Sequence, residues 1–257
     1  MNTNPAKIVM LAGKGMSTNI LYNALQKEFL IEAVLLEESV DKKTFLKKRM
    51  RKLGVWKVFG QIFFQSTIAP LLNAFSKSRK AAIIESNQLD ITSIPEEKIK
   101  HVSSVNDEPC RSLLQTISPS IIIVNGTRII SKKILSAVDA VFINMHAGIT
   151  PKYRGVHGGY WALANNDNAS CGVTIHTVDE GIDTGDWIEQ AIIYVTSKDN
   201  FTTYPLLQTA AGIPLMIKAI KAIIDGTLTT HVGRDESKLW SHPTFRQYIY
   251  NRIKGIK

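Results

Sequence analysis

Cysteine is scarce in this chain: of 257 residues, only Cys110 and Cys171 carry a thiol. They stand far apart, with no CxxC and no Cys/His spacing around them. That argues against a disulfide framework or a zinc ribbon and suits a reducing cytosol. Long apolar runs are missing too. None reaches the roughly 18 residues of a membrane span. The opening MNTNPAKIVMLAGKG has its apolar stretch cut off by Gly13 and Lys14, so it lacks the core and cleavage pattern of a secretory signal. A cytoplasmic location is the expectation. Acid is absent from one region: residues 42–80 hold eleven Lys and Arg and no Asp or Glu. The net charge of +9 therefore belongs to that segment, and the remainder is close to neutral. A general nucleic-acid partner is not expected, and any anionic partner has to be argued at this segment.

What is present reads as one globular unit. Hydrophobic residues at 44% and charged residues at 21% give a foldable balance. The length suits one large α/β domain, alone or with a small appendage. Residues 7–12 (KIVMLA), then GKGMSTN, then residues 20–29 (ILYNALQKEF) predict strand, glycine turn and helix, the opening of a doubly wound sheet. Further strands are predicted at 31–36, 101–105, 120–124, 141–145, 172–178 and 187–195, and helices at 108–117, 158–165 and 202–224. Pro205 fits the start of the last helix, and Pro214 predicts a kink or break in it. The expected fold class is α/β: a Rossmann-like, doubly wound, mostly parallel sheet with a basic helical insertion at 41–80 and a short C-terminal extension. Residues 1–200 would form the main domain, and 201–257 a helix with an aromatic tail.

Chemistry concentrates in two places. Asn144 and His146 end a predicted central strand, and residues two apart on a strand point the same way. An amide and an imidazole at the carboxyl end of such a sheet could supply an oxyanion donor and a proton acceptor; a capped strand end is the alternative. The second place is HTVDEGIDTGD, residues 176–186, where Asp179, Glu180 and Asp183 sit on a glycine-rich turn. One of these carboxylates could orient a histidine, the cluster could hold a metal, or the turn could simply be solvated.

Together, NMHAGITPKYRG and GVTIHTVDEGIDTGDWIEQ resemble the formyltransferase family, whose signature is N-x-H, a P-x-(Y/F)-(R/K)-G loop, G-x-T-x-H and D-x-G. All elements occur here in order across residues 120–190. The resemblance implies transfer of a formyl group from 10-formyl-tetrahydrofolate to an amine, without a metal. It assigns the oxyanion contact to Asn144, proton transfer to His146, and orientation of His146 to Asp183. His176 becomes a supporting residue or a packed core histidine. The segment TRIIS resembles the family's pterin slot, which makes Arg128, Ile129 and Ile130, with Asp179, the cofactor-binding set. The glycine turn resembles a phosphate-binding opening, with Gly13, Ser17 and Asn19 as substrate contacts. Tyr153, Arg154 and Gly155 of the loop are expected to contact substrate as well.

The acceptor is approached by elimination within that resemblance. The family's tRNA enzymes carry an additional C-terminal barrel, and the glycinamide ribonucleotide enzymes are compact. The loops PKYRG and GIDTGD look most like the members that formylate nucleotide-linked 4-amino-4,6-dideoxy sugars for surface polysaccharide. In the tail, residues 238–250 offer Trp240 for stacking on a nucleobase and Arg246 for phosphate; alternatively Trp240, Phe245 and Tyr248 seal the sheet. In the insertion, Trp56, Phe59, Ile62 and Phe63 recur at helical spacing beside LKKRMRK. A membrane-surface helix, a homodimer face, a lid over a diphosphate and a solvated cationic flank all fit that pattern. A glycinamide ribonucleotide or tRNA enzyme, or a non-catalytic nucleotide-binding protein on the same scaffold, are the other readings.

Overall fold

The computed structural model describes residues 6–39 and 42–257. Its centre is a seven-stranded sheet of β1 (Ile8–Gly13), β2 (Ile31–Glu37), β3 (Ile99–Val102), β4 (Ile121–Asn125), β5 (Val141–His146), β7 (Gly172–Thr177) and β8 (Trp187–Ile192), in the order β3-β2-β1-β4-β5-β7-β8. The pairs from β3 through β5 are parallel, and β7 and β8 are antiparallel additions. β1 and β4 are apolar at nearly every position because both faces are covered, and their alternation sorts the core. Ile8, Met10, Ile121 and Ile123 point to one side, packing with Leu21, Met216 and Ile220 of α1 (Met16–Leu25) and α9 (Tyr204–Ile224). Val9, Leu11, Ile122 and Val124 point to the other, against Cys110 and Leu114 of α6 (Glu108–Ile117) and Ile134 of α7 (Lys132–Leu135). Each fully buried Ile or Leu contributes roughly 1.5–3 kcal/mol, so these two layers carry the fold.

Three expectations shift. The predicted strand at 101–105 is β3 instead, because Asp107 captures the chain just beyond it. Its carboxylate accepts from Ser103 Oγ, Ser104 N–H and Cys110 N–H, turning residues 103–107 into the start of α6. Helix α1 begins and ends earlier than 20–29. Pro214 neither breaks nor ends α9, which runs unbroken past it. Leu206, Gln208, Gly212, Met216, Ala219 and Ile220 bury one face of that helix, and tertiary packing outweighs the missing amide hydrogen bond.

The basic insertion forms α2 (Lys42–Leu53), α3 (Val55–Phe63), a π-helical turn (Phe64–Ile68), α4 (Ala69–Phe75) and α5 (Lys77–Ser86). From Val55 to Phe75 this is one 21-residue helix, long and apolar enough by composition to cross a membrane, as is α9; the sequence expectation of no such segment is corrected here. Phe64 lies in a third, aromatic cluster with Tyr153, Tyr160 and Trp161, the last two on α8 (Gly158–Ala164), and with Tyr248 of α10 (Phe245–Ile253). The tail also contributes β9 (Leu239–Trp240), which pairs in parallel with β6 (Arg154–Gly155). Residues 201–257 thus complete both the sheet's cover and the loop beside β5.

Candidate active site

Asn144 and His146 close β5, and β7 lies antiparallel to it with His176 directly opposite Asn144. Asn144 Nδ2 is 3.1 Å from His176 Nε2, and His176 Nδ1 is 2.7 Å from the Thr177 carbonyl. A carbonyl only accepts, so His176 Nδ1 carries a hydrogen, and Nε2 faces both the Asn144 amide and, at 3.6 Å, Asp183 Oδ1. His176 is thus a support for Asn144 and Asp183 as well as a packed residue.

An acceptor faces each ring nitrogen of His146. Nε2 lies 2.7 Å from the Tyr153 carbonyl and Nδ1 lies 3.3 Å from Asp183 Oδ2. The glycine of the NMHAG run is required here: a Cβ on Gly148 would sit 2.4 Å from that carbonyl and 2.7 Å from His146 Nε2. Asp183 adopts a left-handed backbone, φ 51°, and its Oδ2 accepts from the Gly155 N–H at 2.9 Å. Burial pushes the Asp183 carboxyl up, but His176, His146 and the Gly155 N–H outweigh it and hold the carboxyl down at about 2. The opposite balance holds at His146: burial lowers its basicity more than Asp183 and the Tyr153 carbonyl raise it. The resting pair is therefore a neutral imidazole against a carboxylate.

These three residues open into a cleft of about 580 Å³. One wall is apolar, from Val124, Ile129, Ile130, Met145 and Val178. The other carries Arg49, Lys52 and Lys57 from the insertion and Trp240, Ser241 and His242 from the tail. Gln61, fully buried, ties these two contributors together. It accepts from Arg49 Nη2 and donates to Ser241 Oγ and to the His242 carbonyl, the last at 2.6 Å.

Several expected contacts turn out to build the site rather than line it. Gly13, Ser17 and Asn19 are not among the cleft's lining residues. Gly13 is glycine because a Cβ there would meet the Gly126 carbonyl oxygen at 2.3 Å, and Thr18 next to it bridges Gly13 and Asn125. Ser17 is exposed at the start of α1, and Asn19 reaches toward the Ile91 carbonyl. Tyr153 is buried, with its hydroxyl on Asp167 and its carbonyl on His146. Arg154 donates to the Ile182 carbonyl, holding the loop that carries Asp183. Gly155 does border the cleft, and its N–H is committed to Asp183. Trp240 also borders the cleft, but its ring stacks on Trp161 and Tyr153 at centroid distances of 4.7 and 5.8 Å, and it takes part in the seal rather than lying open to a base. Arg246 is exposed on α10 and outside the lining.

The slot at residues 128–130 is likewise partly committed. The Arg128 N–H donates to Glu37 Oε2 and its guanidinium pairs with the same carboxylate; Asn106 Nδ2 donates to the Ile129 carbonyl. The slot is thus offered by the Ile129 and Ile130 side chains more than by these backbone groups. Asp179 lines the cleft while its Oδ1 accepts from Gly181 N–H and Thr184 Oγ. Among the described residues no group of three or more His, Cys, Asp or Glu could hold a metal ion. Sequence reading missed Glu37, Asn106, Gln61 and His242. Only the charge run signalled Lys52 and Lys57, and only as part of a segment.

Residues 6–211 match the sequence model of one known family, Formyl transferase. The chain belongs to that family. A methionyl-tRNA formyltransferase of Koribacter versatilis is 30% identical over 71% of this chain. The chain spans about half the length of the curated relatives it matches, and 59% of this one. Among solved structures, a phosphoribosylglycinamide formyltransferase from Anaplasma phagocytophilum superposes with a TM-score of 0.57, at 18% identity, covering 92% of this chain and 98% of its own. An N-formyltransferase from Helicobacter canadensis, solved with folinic acid and dTDP-3-aminofucose, superposes with a TM-score of 0.52, at 19% identity, covering 92% and 71%. At these identities the solved relatives show a shared fold, the doubly wound sheet.

Proposed function

We propose that this chain is a cytoplasmic N-formyltransferase that moves a formyl group from 10-formyl-tetrahydrofolate to the amine of a nucleotide-linked 4-amino-4,6-dideoxy sugar. One observation carries the acceptor: Lys52 and Lys57 of the acid-free insertion border the same cleft as Asn144, His146 and Asp183. A nucleoside diphosphate sugar brings about two negative charges to a cleft of this kind, where cations on low-dielectric walls act strongly. The neighbour solved with a dTDP-linked amino sugar is consistent with that chemistry.

The apolar wall of Val124, Ile129, Ile130 and Val178 fits a flat pterin, with Glu37 and Asn106 holding the loop that forms it. The donor supplies an activated formyl group. The chain's own residues do the rest. Asn144, supported by His176, donates to the formyl oxygen as negative charge develops there. His146 takes the proton of the attacking amine at Nδ1, beside the Asp183 carboxylate, while Nε2 stays bonded to Tyr153. Asp183, ionised at neutral pH, stabilises the imidazolium that results, and that proton is returned to the leaving nitrogen as the intermediate collapses, the donor C–N bond breaks and tetrahydrofolate departs.

The sequence relatives favour a second reading, a methionyl-tRNA acceptor. Purified protein assayed with 10-formyl-tetrahydrofolate against nucleotide-linked 3- and 4-amino sugars, glycinamide ribonucleotide and charged initiator tRNA separates the readings. The proposal expects turnover on a nucleotide-linked 4-amino sugar and little on the other two classes. Equal or better turnover of glycinamide ribonucleotide or the tRNA overturns the acceptor assignment and leaves formyl transfer standing.

A further inference from the structure

The helix from Val55 to Phe75 is half accounted for. Its inner face is closed by Val58, Gln61 and Phe64, all within 1% of full burial and joined to α10 and the tail. Its outer face is covered by nothing among the described residues: Trp56 is 87% exposed, Phe59 62% and Phe75 86%, with Val55, Ile62 and Leu71 exposed beside them. Over 21 residues this stripe runs about 30 Å. Exposed apolar surface of that extent, in two aromatic-bearing groups at residues 55–63 and 71–75 of one helix, marks an interaction site.

The surrounding charge selects the partner. Lys43, Lys47, Arg51 and Lys52 lie exposed before the stripe, Lys57 within it and Lys77 after it, and no acid occurs from residue 42 through 80. A second copy of the chain would fit poorly, because an isologous interface sets this cationic patch against itself. We propose that this face docks the protein on an anionic lipid bilayer, with the Val55–Phe75 helix lying in the plane of the surface. Aromatic side chains enter the acyl boundary while the lysines meet headgroups, and the two contributions together give reversible binding that neither gives alone. The helix does not span, since its inner face is committed to the domain. Lys52 and Lys57 belong to both the basic flank and the cleft wall, so the docked bilayer borders the cleft mouth.

Vesicle flotation of the full chain tests this without any substrate. Vesicles of phosphatidylcholine alone are compared with vesicles in which about a third of the lipid is phosphatidylglycerol. The wild type should float at least ~10-fold more with the anionic vesicles, and raising the salt should release it. The combined variant Trp56→Ser, Phe59→Ser, Phe75→Ser should lose ~10-fold or more of that recovery. It should keep the wild-type thermal midpoint and near-ultraviolet circular dichroism, because all three side chains are exposed. No recovery with either vesicle overturns the proposal. So does a wild-type dimer in sedimentation that the triple variant converts to monomer without any vesicle binding, which would give the face to a second copy.

Discussion

Two acceptors face the ring of His146, and they fix where its protons reside. The Tyr153 carbonyl requires a hydrogen on Nε2, so Nδ1 beside Asp183 is the one site that gains or loses a proton. Burial lowers the basicity of the ring, so the neutral form needed for catalysis persists below the ordinary histidine range. The acid limb of kcat/KM is therefore expected below the pH 6 to 7 interval that an unperturbed histidine would give. The Asp183 carboxylate favours imidazolium, so Asp183→Asn should lower the rate and move that limb further down. The acceptor's own ammonium adds a higher limb that the substitution leaves in place; overlapping profiles for the two proteins would contradict the pairing. His146→Ala and Asn144→Ala should each lower kcat by roughly two to three orders of magnitude in a folded protein. Strand alternation made Asn144 and His146 legible as neighbours in the sequence, and the acidic turn supplied Asp183 as a candidate. Glu37 was not legible. A carboxylate at the end of a strand has no pattern to distinguish it, and its role rests on backbone N–H groups of Val105 and Arg128 brought from elsewhere. The same reason hid the contacts of Tyr153 and Arg154 within the site, made through a backbone carbonyl and a loop.

The insertion and the tail, separate in sequence, meet as one element over the cleft, and Gln61 is the joint. Its amide donates to the His242 carbonyl and Ser241 Oγ, while its oxygen accepts from Arg49. Gln61→Ala leaves that carbonyl without this donor inside a packed interface and should cost about 1–3 kcal/mol, read from chemical denaturation. Because residues 239–242 form part of the cleft wall, the same variant should raise the acceptor's KM more than it lowers kcat. A variant with unchanged stability and KM would separate the insertion from the cleft. Periodicity showed that residues 55–63 are helical and amphipathic, but a hydrogen bond between residues 61 and 242 is a property of topology. The sheet was more open to reading: the apolar runs at β1, β4 and β5 have no other use than a doubly covered strand. The break expected at Pro214 failed for the opposite reason, since a local rule yielded to the burial of seven residues along α9.

For the molecule as a whole, the histidines set acid sensitivity. His157 is pushed down to about 3 by burial and the neighbouring His242, and His242 to about 4 by burial and Arg49. They share one hydrogen bond of 2.9 Å. An unfolded chain takes up these protons near pH 6.5, and the folded chain does not until far lower. Stability is thus full above about pH 6.5 and is lost progressively as pH falls toward the folded values, by up to ~1.4 kcal/mol per unit for each group. Asp183, held at about 2, adds a loss only below about pH 4. The thermal midpoint should therefore drop between pH 7 and 5, and His157→Asn should flatten that slope. Asn tolerates the left-handed backbone found there, φ 61°. A midpoint independent of pH over that interval would show that the pair is accessible to protons in the folded state. The short ribbon of β6 and β9 has a consequence of its own for synthesis. The N–H that holds Asp183 belongs to Gly155, and Gly155 is set by pairing with Trp240. On the ribosome, Asn144, His146 and Asp183 all emerge well before that partner strand. Until Trp240 clears the exit tunnel, the strand pairing that sets Gly155 cannot form, and the clamp on Asp183 waits for the last residues of the chain.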